Sequence, residues 1–225
     1  NYCKRKSMGI VLKRRDNAPI VKDVYGGIID ILMNEKDLNM AKQYLYDMLD
    51  KLVSKEIPIE KLIISKSLRA FYKNPKQIAH KALADRIAER DPGNKPAPGD
   101  RIPFVYIVNK NKKALQGDKI ELPTYIKENK IKIDYLFYIS NQIMKPVTQL
   151  FALVLYKMDE FKRKKQGFIG RLNTMRQNLE PEKYIKKEQD LKNKEIEKIL
   201  FEKYLIKGKH MKEGTQSISS FFNKI

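Results

Sequence analysis

The stretch from Arg90 to Ile107 constrains the fold most, because a helix end, a stiff turn and the start of a strand follow one another within it. Its sequence is RDPGNKPAPGDRIPFVYI. The three prolines of the turn DPGNKPAPGD fix the backbone φ angle and lack an N–H donor, so no regular helix or central strand runs through it. Val105, Tyr106 and Ile107 are β-branched or aromatic, which favours a strand. The stretch therefore predicts a small sheet inside a helical domain.

The residues on either side of this stretch predict a partner strand and three helices. The run IEKLIISKSL at residues 59–68 is short, β-branched and preceded by Pro58, so it predicts the strand that pairs with residues 102–108. Apolar residues at helical spacing predict three amphipathic helices. The first is predicted to begin near Pro19, the second at Asp37 or Asn39, and the third to cover Pro75–Glu89.

The second half of the chain is predicted to be helical. Ile133–Tyr156 is an apolar helical stretch that Pro146 is expected to interrupt, and the compact core is expected to end near residue 156. The composition then shifts to lysine and glutamate, and GKHMKEG at residues 208–214 predicts a flexible linker. The predicted fold class is α+β: a predominantly helical domain with a small β-sheet or hairpin, then charged C-terminal helices and a flexible tail. The predicted divisions are residues 1–17, 18–156, 157–207 and 208–225.

Charge is the property that bears most directly on the partner. The 225 residues include 47 Lys and Arg against 27 Asp and Glu, a formal net charge of +20. This excess favours polyanions, and nucleic acid is the leading class of partner. The charge alone identifies no chemistry.

Cysteine usage and hydropathy limit the compartment. A single cysteine, Cys3, cannot form an internal disulfide, and the sequence has no zinc-ligand spacing. It has neither a membrane-spanning apolar run nor a secretory signal. We therefore expect a soluble, intracellular protein that does not bind membranes, and a start at Asn1 suggests a fragment of a longer polypeptide.

A basic elbow is the first candidate site. Lys13, Arg14 and Arg15 stand between an apolar triplet and a helix cap, so their side chains are held near a defined backbone. Guanidinium groups bind phosphate oxygens in pairs, which positions a duplex without reading its sequence. The charges alone favour the alternative, a solvated elbow with no ligand.

The third predicted helix and the proline-rich turn form the second candidate site. The helix brings Lys76, His80 and Arg86 toward one face, and Arg101 follows the turn. A glycine such as Gly99 lets the backbone approach a phosphate, because no Cβ is in the way. The alternative is that His80 is a hydrogen-bonded packing residue and the turn only leads into a core strand.

The C-terminal tail TQSISSFF, residues 215–222, is similar to the peptide with which replication proteins dock on a ring-shaped sliding clamp. Ile218, Phe221 and Phe222 are in register to fill an apolar pocket, whereas Thr215 stands where that pattern has glutamine. The alternative is an amphipathic turn that packs back on the domain.

Three segments resemble the family B DNA polymerases of the delta type. In that family a lysine and a glycine precede an apolar run and RRDN; here Lys6, Gly9 and residues 14–17 match, although the family's lysine usually adjoins the glycine. The second match is KQIAH at residues 76–80 with RDPG and GDRIPFV around the turn, and the third is IDYLFYISNQIMKP at residues 133–146.

This resemblance covers roughly residues 4–156. It implies the thumb region and the last palm strand of a replicative polymerase, which would grip the primer-template DNA duplex through phosphate contacts. Residues 1–17 would be the end of the palm with the elbow, and residues 18–156 the thumb. The implied DNA-binding residues are Lys6, Lys13, Arg14, Arg15, Lys76, His80 and Arg101.

The resemblance also implies what other parts of the polymerase supply. The family's catalytic carboxylates lie upstream of the matching region, so nucleotidyl transfer with magnesium would belong to the whole DNA-directed DNA polymerase. This chain alone is expected to hold no cofactor, metal or catalytic residue and to be inactive. The implied partners are the DNA, the remainder of the polymerase chain and, through the tail, a sliding clamp, at a nuclear or viral replication site.

Three other functions are compatible with the sequence. A stand-alone nucleic-acid-binding module would bind tightly by itself, whereas an isolated thumb would bind weakly. A clamp-docking adaptor without catalysis would depend on the tail alone. A basic helical protein on anionic membranes ranks last, because the apolar pattern of residues 157–204 is diffuse.

Overall fold

The computed structural model describes residue 12, residues 16–111 and residues 113–213. The first two helices pack against each other. Helix α1 (Pro19–Asp30) has proline in its first turn and ends in a π-helical turn, Ile31–Glu35. Helix α2 (Leu38–Val53) begins at Asp37, whose carboxylate accepts hydrogen bonds from the backbone N–H groups of the next turn. A proline at the start of α1 and a side-chain cap at the start of α2, each followed by an apolar repeat, therefore set the two helix starts.

The sheet has three antiparallel strands in the order β1-β2-β3. They are β1 (Ile64–Ser67), β2 (Arg101–Tyr106) and β3 (Ile120–Glu121). The predicted pairing of residues 59–68 with residues 102–108 is confirmed, with Ile64 opposite Phe104 and Ser67 opposite Arg101. The predicted strand is longer than β1, because Ile59–Leu62 forms a 3₁₀ turn after Pro58. Strand β1 is an edge of the sheet.

Helix α3 (Ala79–Arg90) packs beside the sheet and ends at the proline-rich turn. A 3₁₀ turn, Pro75–Gln77, precedes it. Gly99 closes the turn with a φ of +96°, which explains glycine at this position by backbone conformation. Its N–H donates to the Leu68 carbonyl at 2.9 Å, so the turn is joined to the end of β1.

Three short helices follow the sheet. They are α4 (Pro123–Glu128), α5 (Tyr135–Phe137) and α6 (Met144–Ala152), and a π-helical turn, Tyr138–Ile143, joins the last two. The prediction that Pro146 interrupts the helix is wrong, because Pro146 lies in the first turn of α6. The π-helical turn before it changes the local hydrogen-bond register, which accommodates the missing proline N–H.

The charged extension consists of a 3₁₀ turn, Asp159–Lys164, and three helices. They are α7 (Lys165–Asn178), α8 (Pro181–Leu200) and α9 (Glu202–Glu213). Residues 208–213, predicted to be a flexible linker, are therefore helical. A Cβ at Gly208 would stand 2.7 Å from Leu136, so glycine serves close helix packing at this position.

The sequence predicted that the hydrophobic core ends near residue 156, and this prediction is wrong. One cluster of buried side chains runs from α1 into the extension, where it includes Phe161, Phe168, Leu200 and Tyr204. The loose apolar spacing of the extension is sufficient because each of its helices buries only a narrow edge. The α+β class is confirmed as a helix-rich fold with a small sheet. No helix in the described ranges is long and apolar enough to cross a bilayer.

Candidate nucleic-acid interface

A cleft opens where the edge strand β1 meets the N-terminal end of α3, with a volume of about 510 Å³. We call it the sheet-edge cleft. It is lined by residues from β1, the loop after β1, the start of α3 and the first residue of β2, together with one residue that precedes α1: Asp16, Ser65, Lys66, Ser67, Arg69, Tyr72, Ile78, His80 and Arg101.

Arg101 is held across β1 by three hydrogen bonds. Its Nε donates to Ser65 Oγ at 3.2 Å, its Nη1 to Ser67 Oγ at 3.2 Å and its Nη2 to the Ser65 carbonyl at 2.7 Å. These bonds leave further guanidinium N–H donors for a ligand. No carboxylate in the described ranges forms an ion pair with Arg101, whose side chain is exposed. The guanidinium is thus oriented but not neutralised.

His80 and Tyr72 form one side of the cleft. The Tyr72 hydroxyl oxygen lies 3.1 Å from His80 Nε2 and accepts a hydrogen bond from the Arg69 backbone N–H at 2.8 Å. The Tyr72 hydroxyl donates to Nε2 in the tautomer that carries its proton on Nδ1. The two rings meet edge to face, with centroids 5.9 Å apart. His80 therefore fixes the loop after β1.

Burial lowers the pKa of His80 below its usual value near 6.5. The positive charge of Lys66 lowers this pKa further, as does that of Arg69, whereas a hydrogen bond with the Ser67 backbone raises it. His80 is therefore neutral at pH 7, in agreement with its bond to Tyr72. The cations at the cleft are Lys66, Arg69 and Arg101.

The loop after β1 extends this basic surface. Residues 61–84 contain six Lys or Arg and no Asp or Glu. Lys73 and Lys76 are exposed on this loop, and the side chain of Phe71 is 81% exposed beside them. Lys76 lies in the 3₁₀ turn before α3 and does not line the cleft. The structure thus brings His80 and Arg101 to one site and leaves Lys76 on the neighbouring loop.

Arg86 does not face His80, in contrast to the sequence-based expectation. Its guanidinium donates to the Gly117 carbonyl at 2.8 Å and to the Ile120 carbonyl at 2.7 Å. Arg90 donates to Glu121 at 2.9 Å, and the Glu121 side chain is only 4% exposed. The two arginines therefore fasten α3, and with it His80, to strand β3.

The chemistry available at the cleft is that of anion binding. Its lining includes one carboxylate residue, Asp16, beside guanidinium, ammonium and hydroxyl groups that can donate hydrogen bonds to phosphate oxygens. In residues 16–111 and 113–213, no group of three or more His, Cys, Asp or Glu side chains is arranged to hold a metal ion. The described residues therefore do not fit a magnesium site.

Several predicted site residues lie outside the described part of the chain. They are Lys6, Lys13, Arg14, Arg15, Ile218, Phe221 and Phe222. Asp16, which directly follows Arg15 in the sequence, lines the cleft.

The sequence did not indicate the two serines or Tyr72 as site residues. Their roles depend on strand register and on a loop that turns back to α3. The alternation SKS in residues 65–67 was the available signal, because it places both serines on the same side of a strand.

The sequence of the chain matches a known protein family and several known proteins. DNA polymerase family B matches residues 1–154. The chain is 50% identical over 227 residues to the DNA polymerase of Pyramimonas orientalis virus, a match that covers 99% of this chain and 19% of that protein.

Two further relatives match a shorter segment. The DNA polymerase of Acanthamoeba polyphaga mimivirus is 56% identical over 159 residues, which are 68% of this chain and 9% of that protein. The DNA polymerase delta catalytic subunit of Schizosaccharomyces pombe is 35% identical over 158 residues, 68% of this chain and 14% of that protein. The chain thus spans a fifth or less of the length of these relatives.

Proposed function

The chain belongs to the family B DNA polymerases, and on that premise we propose that it is the thumb region of a replicative polymerase and grips the primer-template duplex. The observation that carries this proposal is the sheet-edge cleft, in which Arg101 is oriented by β1 and has no carboxylate partner in the described ranges. A phosphate oxygen can accept the donors that remain on its guanidinium.

The proposed grip is electrostatic. Lys66, Arg69 and Arg101 neutralise phosphates of the duplex and release the counterions bound to them, so affinity falls steeply as salt rises. Phosphate contacts carry no sequence information, so the sequence preference is small. Lys76 extends the contact along the loop, while the neutral His80 acts by holding Tyr72 in place.

The elbow and the tail complete the proposal. Arg15 directly precedes Asp16, which lines the cleft, and we assign Lys6, Lys13, Arg14 and Arg15 to the same phosphate contact. Residues 218–222 are assigned to a sliding clamp on their sequence pattern alone.

The reaction belongs to the whole polymerase. Nucleotidyl transfer is assigned, with its magnesium ions, to parts of the polypeptide other than the described residues, because these offer no metal-binding group. This chain is accordingly proposed to bind DNA without catalysis at a viral or nuclear replication site, where its partner is the rest of the polymerase.

A charge-neutralised cleft tests the proposal. The triple variant K66Q/R69Q/R101Q should bind a labelled primer-template duplex more weakly, and its salt slope should fall by about three, since each lost phosphate contact lowers the slope by about one. The matched control is K51Q/K186Q/K187Q, which removes the same charge from exposed positions away from the cleft. Equal losses in both variants would reject the cleft as a DNA site.

A further inference from the structure

The C-terminal extension repeats the charge pattern of the sheet-edge cleft. Residues 161–179 contain six Lys or Arg and no Asp or Glu, as residues 61–84 do. Four of the six, at positions 162–165, are consecutive and lead directly into α7. A second segment, distant in sequence from the first, therefore offers strong positive charge to a polyanion.

Helix α7 is anchored along one edge and presents its opposite side to solvent. Phe168 and Leu172 are buried in the core. At about 100° per residue, the positions that point away from these two are polar and uncharged or glycine. They are Gln166, Gly170, Asn173, Thr174 and Gln177, all exposed. We call this surface, with Arg163, Arg171 and Arg176 beside it, the α7 face.

Of the cations of this segment, Lys164 pairs with the largely buried Glu195 at 3.4 Å, and the others form weaker contacts within the described chain. Lys162 pairs with Asp159 at 2.7 Å, but both side chains are more than 60% exposed, so the pair adds little to stability. The Arg171 guanidinium lies 5.6 Å from the centre of the Phe168 ring, and its N–H donors stay available. Arg163 and Arg176 form no ion pair with any described carboxylate. Their charge is not neutralised by the described chain.

Two glycines leave the α7 backbone open beside these arginines. A Cβ at Gly167 or at Gly170 would meet no atom within 4 Å, so packing within the protein does not require glycine at either position. Glycine in a helix interior is unfavourable relative to alanine. Close approach of a ligand to the helix backbone would explain glycine at both positions. It would also bring the ligand beside the arginines.

We propose that the α7 face is a second phosphate-binding surface for duplex DNA, separate from the sheet-edge cleft. The inference deepens the proposed function and rests on it for the identity of the ligand. The 14 residues of α7 form a rod of about 21 Å, which equals the rise of about six base pairs. Arginines beside the face bind phosphates, and its amides and hydroxyl supply the further hydrogen bonds that phosphates and sugars accept.

The chemistry of the α7 face favours duplex DNA over a membrane. A helix that lies on a bilayer needs an exposed apolar face beneath its cations. On α7 Phe168 and Leu172 are buried, Ile169 is the exposed large apolar residue, and the positions opposite the core carry amides, a hydroxyl or glycine. Neutral hydrogen-bonding groups flanked by arginines fit a phosphate backbone.

The test compares two variants with the same change in net charge. R163Q/R171Q/R176Q removes three charges from the α7 face, and K183Q/K186Q/K187Q removes three from exposed positions of α8, which lie among acidic residues. Binding of the whole chain to a labelled duplex is measured by fluorescence anisotropy between about 50 and 200 mM salt. The α7 variant should bind at least about tenfold more weakly at the lowest salt and lose about three from its slope, while the α8 control keeps the slope of the unmodified chain.

Two results would overturn the inference. One is an equal loss in the α7 variant and the α8 control, which would reduce the effect to net charge. The other is unchanged duplex binding with lost binding to phosphatidylserine vesicles, which would assign the face to membranes. Thermal unfolding should be the same in all variants, because the substituted side chains are exposed.

Measurement of the cleft variant K66Q/R69Q/R101Q in the same titration separates this inference from the proposed function. Loss of affinity in the α7 variant alone would reject the cleft and support the α7 face. Loss of affinity in the cleft variant alone would reject the α7 face and support the cleft. Losses in both that multiply in the combined variant would support two independent surfaces.

Discussion

The sheet-edge cleft and the α7 face have the same charge pattern but different supports. In the cleft, Arg101 is held by two serines across a strand pair, and α3 is fastened to the sheet through the buried Glu121. On α7 the arginines stand on an exposed helix that only a narrow apolar edge joins to the core. Equal charge can thus be presented by a preorganised site or by an adaptable one. We expect the orientation of the guanidinium groups to matter more in the cleft than on the α7 face.

The largest difference should appear in the free energy of unfolding when an ion pair that anchors each region is removed. E121Q removes a carboxylate that is 4% exposed and leaves Arg90 and Arg86 without their ionic partner, which should cost about 3–5 kcal/mol of unfolding free energy. E195Q breaks the Lys164 pair at 3.4 Å beside α7 and should cost less than about 1 kcal/mol. Urea denaturation measures both, and equal costs would remove the contrast between the supports.

The buried hydroxyl of Tyr138 gives the next largest effect. It donates to the Leu62 carbonyl at 2.7 Å and accepts from the Tyr106 N–H at 3.0 Å, so it joins β2 to the segment that leads into β1. Y138F leaves both backbone groups unpaired and should cost about 1–3 kcal/mol in urea denaturation. A change within error would show that the region under the cleft readjusts easily.

Substitution of the glycines of α7 should separate stability from binding. G167A/G170A places methyl groups in open space on a helix, so it should raise the unfolding free energy by up to about 1 kcal/mol per site. The same variant should bind duplex more weakly, because the methyl groups keep a phosphate from the backbone. Greater stability with unchanged affinity would contradict the proposed approach of DNA to α7.

The conservative change from arginine to lysine tests preorganisation directly. R101K keeps the charge but loses the planar fork that Ser65 and Ser67 orient, so duplex affinity should fall roughly fivefold, or about 1 kcal/mol. R171K should change affinity less, since no hydrogen bond among the described residues holds the Arg171 guanidinium in one orientation. Anisotropy titrations of the two variants give the comparison, and a larger loss in R171K would reverse it.

The smallest effect concerns the pH dependence of stability at the cleft. Burial lowers the pKa of His80, so near pH 6 the unfolded chain binds more protons at this residue than the folded chain does. The contribution of His80 to stability is therefore complete above about pH 6.5 and decreases as the pH falls below that value. H80Q should remove this part of the acid dependence in thermal unfolding between pH 7 and pH 5. An unchanged profile would mean that His80 is not the group responsible.

Local signals in the sequence predicted much of this architecture. The starts of α1 and α2 follow from a proline and an aspartate cap, and the pairing of β1 with β2 follows from two β-branched runs on either side of a turn. His80 and Arg101 were predicted as site residues and meet at one cleft, although their binding of DNA stays a prediction.

The errors arose where structure depends on distant residues. The orientation of Arg101 by two serines depends on strand register, and the partners of Arg86 are carbonyls more than thirty positions away. The π-helical turn before Pro146 allows a helix where the proline predicted an interruption. The extension joins the core through a few buried aromatic residues that are widely spaced in the sequence.

Lysine footprinting tests the central claim most directly, because one measurement covers both regions and a control helix. The whole chain is acetylated with and without primer-template duplex, and the protection of each lysine is read by mass spectrometry. The account predicts that duplex protects six lysines of the two basic segments, residues 61–84 and 161–179. They are Lys66, Lys73, Lys76, Lys162, Lys164 and Lys165. Three exposed lysines of α8 should react equally with and without DNA: Lys183, Lys186 and Lys187. Uniform protection of all nine, or protection of none, would contradict the account.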